Sequence, residues 1–403
     1  MRNKGELSIS IKGWALGFLL FSLIPAFYVW NNSLDTLFTF AISVIVFFDS
    51  IQQKERVDYY RKIGIFLYIF IFLIFIFRSD FTILGIIKKL FVIPILFARK
   101  ELLKDTYSAF VWVYAGVISI SLIVYFAVIF VGIGLPSRVI EPLNDLKNYT
   151  YYLYPFLITS DSIDTLGLSF RFCGLFDEPG VVGTFSAIIL IINRFDFSKV
   201  YNIIIFVAGI FSFSLFFYVI CVAAVLLSAP GKVKIVTILF IGVLLFVFKD
   251  NEVVDQLIFS RFSGDDDGVL GMVDNRNTGL FNSYYERFSK TGAYWFGLGA
   301  GSAAKIGDGG SSYKMLVYDY GMLFFVPYIF VYYFFVFGNF RGWKSFVAFS
   351  LILLGTMYQR PFVGEITYTF LILSSSYLIA ENYENKKTRK DIIKRNCLSE
   401  TTC

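Results

Sequence analysis

Long apolar runs, broken by short and mostly basic connections, dominate this chain of 403 residues. Runs with few charges lie at Ile11–Trp30, Leu34–Phe48, Ile63–Phe77, Phe81–Ala98, Phe110–Gly134 and Gly180–Ile192, then at Val200–Ser228, Ile235–Phe248, Met315–Gly338, Trp343–Met357 and Val363–Ala380. Roughly 20 apolar residues suffice for a helix to cross a bilayer, so the pattern predicts membrane helices rather than the amphipathic helices of a water-soluble domain. The first run is too long for a signal-peptide core and lacks a small-residue cleavage site, which makes it a retained first span.

Charge sets the direction of the spans, because cytoplasmic connections carry an excess of Lys and Arg. If every run crosses once from a cytoplasmic start at Arg2, Lys4 and Lys12, the basic tail from Lys386 to Arg395 ends outside. The run Val200–Ser228 is longer than one crossing needs and is interrupted by Ser212 and Ser214. Dividing it into two helices restores the parity. The chain then reads as an all-α, polytopic membrane protein of about twelve transmembrane helices in one integral domain, residues 1–403, with both termini cytoplasmic. On this reading the connections with Lys54, Arg56, Arg61 and Lys62, with Arg99, Lys100 and Lys104, with Arg194 and Lys199, with Lys232 and Lys234, and with Arg341 and Lys344 all lie inside. A rival scheme of about ten spans keeps Val200–Ser228 whole and lays the segment around Lys88 and Lys89 flat, which puts Arg99, Lys100 and Lys104 outside. Two long loops, residues 135–179 and 249–314, face out, and residues 381–403 form a basic cytoplasmic tail. Transport needs only helices and short turns, so large polar loops on one face point to chemistry or recognition there.

Composition agrees: 57% of residues are hydrophobic and 16% charged, with a mean hydropathy of +0.68. The apolar surplus has to face lipid. A net charge of +6 is the sum of the basic inner connections rather than a footprint for nucleic acid. The four cysteines, Cys173, Cys221, Cys397 and Cys403, show neither a disulfide framework nor ligand spacing. Histidine is absent, which excludes a His general base, a Ser-His-Asp triad and a His-ligated metal. Catalysis, if any, falls to carboxylates, Arg, Lys or Tyr, and neither a metal site nor a cofactor is expected.

The first outer loop ends in Arg171, Phe172, Cys173, Gly174, Leu175, Phe176, Asp177, Glu178, Pro179, Gly180, and a new span opens through Val181, Val182 and Gly183. Two readings are open. A guanidinium and free helix-start amides suit a phosphate group; an Arg–carboxylate pair would equally cap and orient the helix. The second loop supplies Arg261, Arg276, Arg287, Lys290, Lys305 and Lys314, a turn Phe296–Ser302 with alternating glycines, and then Ser311, Ser312, Asp319, Tyr320 and Gly321, the last three inside the following span. Asp319 is either functional or paired with Lys314 or Arg360. The glycines follow no strand of a βαβ unit and read as a structural turn. Asp265, Asp266 and Asp267 lack the later ligands of a calcium loop and read as a solvated turn.

Arg171–Gly183 opening a span, Gly297–Gly301 after a long Arg-bearing loop, and Tyr320–Gly321 starting the next span together resemble the O-antigen polymerase family. The resemblance covers the chain in architecture and about forty residues in motif. It implies a bacterial inner-membrane glycosyltransferase of lipopolysaccharide biosynthesis that joins undecaprenyl-pyrophosphate-linked oligosaccharide repeats at the periplasmic face without a metal. The related O-antigen ligases share the first motif but carry a histidine before the helix that follows the second loop, where this chain has Ser311 and Ser312.

What the resemblance implies about residues follows from the chemistry. Negative charge builds on the leaving pyrophosphate, and Arg171, Arg276 and Arg287 are candidates to stabilise it. Asp177 or Glu178 would orient or deprotonate the acceptor hydroxyl. Gly174, Arg261, Lys314, Asp319 and Arg360 are candidates for substrate binding. The implied partners are the lipid-linked glycan, membrane lipid and a chain-length regulator. An O-antigen ligase and a lipid-linked oligosaccharide flippase are the alternatives, the latter disfavoured by the scarcity of charge within the spans.

Overall fold

A computed structural model of the chain describes residues 9–25, 34–52, 59–77, 86–87, 90–140, 150–160, 171–228, 231–232, 234–235, 237–239, 279–306, 312–340, 342–359 and 364–382. Its architecture is a helical bundle. The helices are α1 (Ile11–Ser22), α2 (Asp35–Gln52), α3 (Tyr59–Phe77), α4 (Lys100–Tyr125), α5 (Pro179–Ile192), α6 (Val200–Phe211) and α7 (Leu215–Ser228), then α8 (Gly279–Ser289), α9 (Ala293–Phe296), α10 (Tyr313–Tyr320), α11 (Met322–Val336), α12 (Trp343–Gln359) and α13 (366–382). Among the described residues three helices are long and apolar enough to cross a membrane: Asp35–Gln52, Tyr59–Ile76 and Lys100–Phe130, the last including a π-type turn at its end. At 1.5 Å per residue that helix is about 46 Å long and outreaches a hydrocarbon core of about 30 Å. Helices α1, α5, α6, α7 and α11 are apolar but shorter.

Polar side chains gather at one end of the bundle and tie the helices there. Asp49, near the end of α2, accepts hydrogen bonds from Lys12 at 3.0 Å and Arg99 at 2.7 Å. The backbone N–H of Ser10 donates to Asp105. Buried Arg61 donates to the carbonyls of Leu96 and Ala98 and to the Tyr377 hydroxyl. Lys104 pairs with Glu381, and Arg194 donates to the Asn382 carbonyl. Asn193 at the end of α5 donates to Asn202 in the first turn of α6, 2.8 Å away. The starts of α1, α3, α4 and α6 and the ends of α2, α5 and α13 therefore share this basic end.

Helix directions follow from those ties and from the packing between them. α1 runs parallel to α4, with Gly17 against Ala109 above the Ser10–Asp105 contact. α3 and α11 are antiparallel, Phe75 meeting Phe324, Tyr68 meeting Tyr328 and Tyr60 meeting Phe337. The core between them is mostly aromatic, filled by buried Tyr68, Phe72, Tyr328 and Tyr332.

The apolar runs divide differently from the pattern along the chain. Val200–Ser228 breaks at Ser212–Ser214 into α6 and α7, and Phe217 folds back onto Phe206. The helix expected from Phe110 begins ten residues earlier, so Lys100 and Lys104 sit in its first turns rather than in a connection. Met315–Gly338 is interrupted at Gly321, which places Asp319 in a short helix before the apolar one instead of inside a span. Phe81–Ala98 is not one continuous helix in its described part: Pro94 introduces a 3-10 turn over Ile93–Phe97. That segment descends beside α2, Ser43 bonding the Phe91 carbonyl and Ser50 the Phe97 carbonyl. Lys88, Lys89 and most of Ile235–Phe248 lie outside the described residues, as does the tail after Asn382.

Between the π-type turn that follows α4 and the start of α5, the described chain is not helical. It holds an antiparallel sheet of β1 (Arg138–Ile140), β2 (Tyr151–Tyr154) and β3 (Leu157–Ser160), in that order, with Val139 opposite Tyr152 and Leu153 opposite Ile158. Aromatic and β-branched residues on either side of the Pro155–Phe156 turn, Tyr151, Tyr152 and Tyr154 before it and Ile158 and Thr159 after it, favour strands. The strands are too short to stand alone and lean on the end of α4 and on the Arg171–Glu178 segment.

Candidate functional site

The site is built at the end of the bundle opposite the basic one, from the turn that joins α6 to α7. A helix that stops in an apolar setting leaves its last carbonyls without partners. Arg171 meets this need. Its Nε donates to the Ser212 carbonyl and its Nη2 to the Phe213 carbonyl, each at 3.3 Å, while the Phe172 N–H donates to the Phe211 carbonyl at 2.8 Å. Phe213 holds a left-handed φ of 49°, which turns the chain without a glycine. Gly183 of α5 lies against this turn, and a Cβ there would sit 2.6 Å from Ser214 Oγ and 2.8 Å from Ser212 Oγ.

Behind Arg171 the loop is fixed by the sheet. Ile158 N–H donates to the Gly174 carbonyl at 2.7 Å, and the Tyr151 hydroxyl donates to the Asp177 carbonyl. Asp177 is 5% exposed. Glu178 is the N-cap of α5, half-exposed, with Pro179 following at the helix start where its missing N–H costs nothing. The two carboxylates thus differ in access, and Glu178 is the one at the surface.

The second part of the site is a small unit of α8, α9 and α10 with its own core of Phe281, Tyr285, Phe288, Ala303, Val317, Tyr318 and Phe325. Gly297 and Gly321 meet back to back. Both have φ between 70° and 90° with an extended ψ, at 75° and 82°, a region open essentially to glycine alone. A Cβ on Gly321 would press into the Trp295 carbonyl and lie 2.6 Å from Gly297 N. Leu298 and Gly299 N–H groups donate to the Tyr318 and Asp319 carbonyls, both at 2.9 Å. The Asp319 carboxylate receives the N–H of Gly301 at 3.0 Å and of Ala303 at 2.8 Å. Burial pushes the Asp319 carboxyl above its ordinary value of 3.8, and these amides together with Lys305 offset only part of that. Asp319 therefore grips the glycine turn rather than pairing with Lys314.

Lys314 reaches across to α8, 3.4 Å from Asn282 Oδ1 and 5.0 Å from the centre of the Tyr285 ring. Arg287 is exposed on α8. Ser312 caps α10, its hydroxyl accepting the Lys314 N–H. Arg261, Arg276 and Arg360, together with Ser311 and Asp265–Asp267, lie outside the described residues.

Two residues not singled out from the chain join the halves of this end. Gln359, the last residue of α12, meets Thr184 in the first turns of α5 at 3.1 Å, and its neighbour Tyr358 meets Tyr313 at the start of α10, ring centres 6.3 Å apart. The only sequence signal was a polar residue closing the run Trp343–Met357. The structure thus sets Arg171 on the α6–α7 turn, carries Gly174, Asp177 and Glu178 on the segment from there to α5, and places Lys314 and Asp319 on α10, with the end of α12 touching both α5 and α10.

No protein-family model, curated protein or solved structure matches the chain. Fold and site define a helical protein with several helices able to cross a membrane, polar at both ends and structured beyond the helices at one of them.

Gly321→Ala should cost about 1–3 kcal/mol or more, whereas Gly292→Ala, with open space around it, should be neutral; thermal unfolding in detergent compares them. Because the folded pKa of Asp319 is raised, its neutral form favours folding, and that contribution fades as pH rises through the folded value. The unit should therefore gain stability as pH falls toward the ordinary carboxyl value of 3.8, and Asp319→Asn should flatten that slope.

Proposed function

We propose that this protein is a surface-glycan polymerase of the O-antigen type, joining lipid-linked oligosaccharide repeats at the membrane face away from the cytoplasm. The observation that carries the reading is the division of the bundle into two unlike ends. Lys12, Arg61, Arg99, Lys100, Lys104 and Arg194 collect at one end, as cytoplasmic ends do. The motifs behind the family resemblance collect at the other, around Arg171 and Glu178 and around Gly297 and Gly321. This orientation supports about twelve spans in a bacterial inner membrane, with both termini cytoplasmic and both long loops periplasmic.

In the reaction, the hydroxyl at the non-reducing end of an acceptor repeat attacks the anomeric carbon of the donor glycan. The bond from that carbon to pyrophosphate breaks, and its electron pair leaves with undecaprenyl pyrophosphate. Glu178, at the surface of the α5 N-cap, takes the hydroxyl proton, while Asp177 is buried behind it. Arg171 serves the site by fixing the α6–α7 turn beside α5. Positive charge for the pyrophosphate comes from Lys314 and Arg287, joined by Arg261 and Arg276 of the second loop and by Arg360 after α12. The fixed cations make a metal unnecessary, and a chain-length regulator is the expected partner.

The test is polymerisation of a defined lipid-linked repeat by purified protein. Glu178→Gln should lower the rate about 100-fold or more while the protein still enters the membrane. Arg171→Ala should also abolish long chains, and Arg171→Lys, which keeps a donor to the turn, should recover part of them. Undiminished long chains in Glu178→Gln would remove Glu178 from the role, and no elongation by the unaltered protein would overturn the function.

A further inference from the structure

The α8–α9 unit carries apolar side chains that its own core does not use. In α8 the residues sort into three lines at about 100° per residue. Phe281, Tyr285 and Phe288 are buried against α10 and α11. Leu280, Tyr284 and Arg287 fall on a second line, about 90° round the helix, and all three are exposed. Ser283, Glu286 and Lys290 fall on the far side, Glu286 and Lys290 paired at 3.1 Å. A helix lying between protein, lipid and water has these three faces; a helix surrounded by water on its free side has no use for the second.

Beyond α8 the apolar surface continues. Trp295 is 53% exposed, Phe296 59%, and Leu298 is exposed as well. The Gly297–Gly321 contact sets this turn at the start of α11, and α9 packs on that helix. α11 in turn exposes Leu323, Val326, Phe330 and Phe334, spaced by three, four and four residues along one face. That face belongs to an apolar helix antiparallel to α3, a helix long enough to cross a bilayer. The exposed surface of α9 is thus the upward continuation of a lipid-facing one. Arg287 on the same line and Lys305 beyond the turn are exposed cations that suit the phosphates of a headgroup layer, and Trp and Tyr are the side chains that settle at that depth.

We propose that α8, α9 and the turn at Leu298 form an interfacial anchor, lying in the headgroup layer of the leaflet opposite the basic end. Leu280, Tyr284, Trp295, Phe296 and Leu298 enter the acyl boundary. The second outer loop is then in part a membrane-surface element rather than a globule standing in water. This holds whether or not the protein transfers sugar, because it rests on exposure and continuity alone.

Trp295 reports on it. In a variant with Trp14→Phe, Trp30→Phe, Trp112→Phe and Trp343→Phe, reconstituted in phosphatidylcholine–phosphatidylglycerol vesicles, Trp295 is the sole tryptophan. Its emission should be quenched at least twofold more by lipid brominated near the headgroup than by lipid brominated near the chain end, and little by aqueous acrylamide. Strong acrylamide quenching with no bromolipid effect would overturn the anchor, and protection from both quenchers would mean a protein or glycan covers it instead. Should the sole-tryptophan chain fail to fold, Trp295→Phe alone must lower the emission that shallow bromine quenches, and an unchanged quenched amplitude would overturn the proposal.

Discussion

The end of the bundle that carries the candidate site depends on how the α6–α7 turn satisfies its backbone. A chain that reverses between two apolar helices leaves its last carbonyls without helical partners, and each one buried without a hydrogen bond costs several kcal/mol. The Arg171 guanidinium takes the carbonyls of Ser212 and Phe213, and the Phe172 amide takes that of Phe211. With the turn closed, Gly183 of α5 can pack directly on Ser212 and Ser214. The first turns of α5 then face Gln359 of α12, and the loop carrying Asp177 and Glu178 has a fixed floor. A cation whose residue type suggested phosphate binding is thus employed first in holding backbone.

The opposite end uses charge in another way. Asp49 is shared by Lys12 and Arg99, and Arg61 serves two carbonyls and a tyrosine hydroxyl. These contacts fasten helix ends that are far apart in sequence and fix the alternation of helix directions. The two ends therefore divide the labour: one is a static mesh of short contacts, the other carries a sheet, a capped loop and a separate small core.

Much of this was legible along the chain. Apolar runs located α1, α2, α3, α5, α11, α12 and α13, and two serines in an overlong run marked the break between α6 and α7. Alternating glycines announced a turn, although not that Gly297 needs Gly321 as its neighbour, since the two are brought together only by tertiary packing. Hydropathy concealed the start of α4, because Lys100 and Lys104 find partners at a helix surface instead of ending the helix. It also concealed the small sheet, whose strands are shorter than any window that detects them. At the site, residue type singled out Asp319 but not its role, since a carboxylate that receives backbone amides looks like one poised for substrate until the glycine turn is seen beside it. Gln359 was silent, its meaning lying in Thr184 across the bundle.

The account stands on one geometric claim: the chain comes back at Ser212–Ser214, so that Arg171, Glu178 and the glycine turn all belong to the face away from the cytoplasm. Reporter fusions at Ser160, Gly231 and Gly309 in cells measure it most directly. The account predicts Ser160 and Gly309 outside and Gly231 inside. Gly231 reporting from the same side as Ser160 would contradict it, because α6 and α7 would then cross as one and the two motifs would lie on opposite faces.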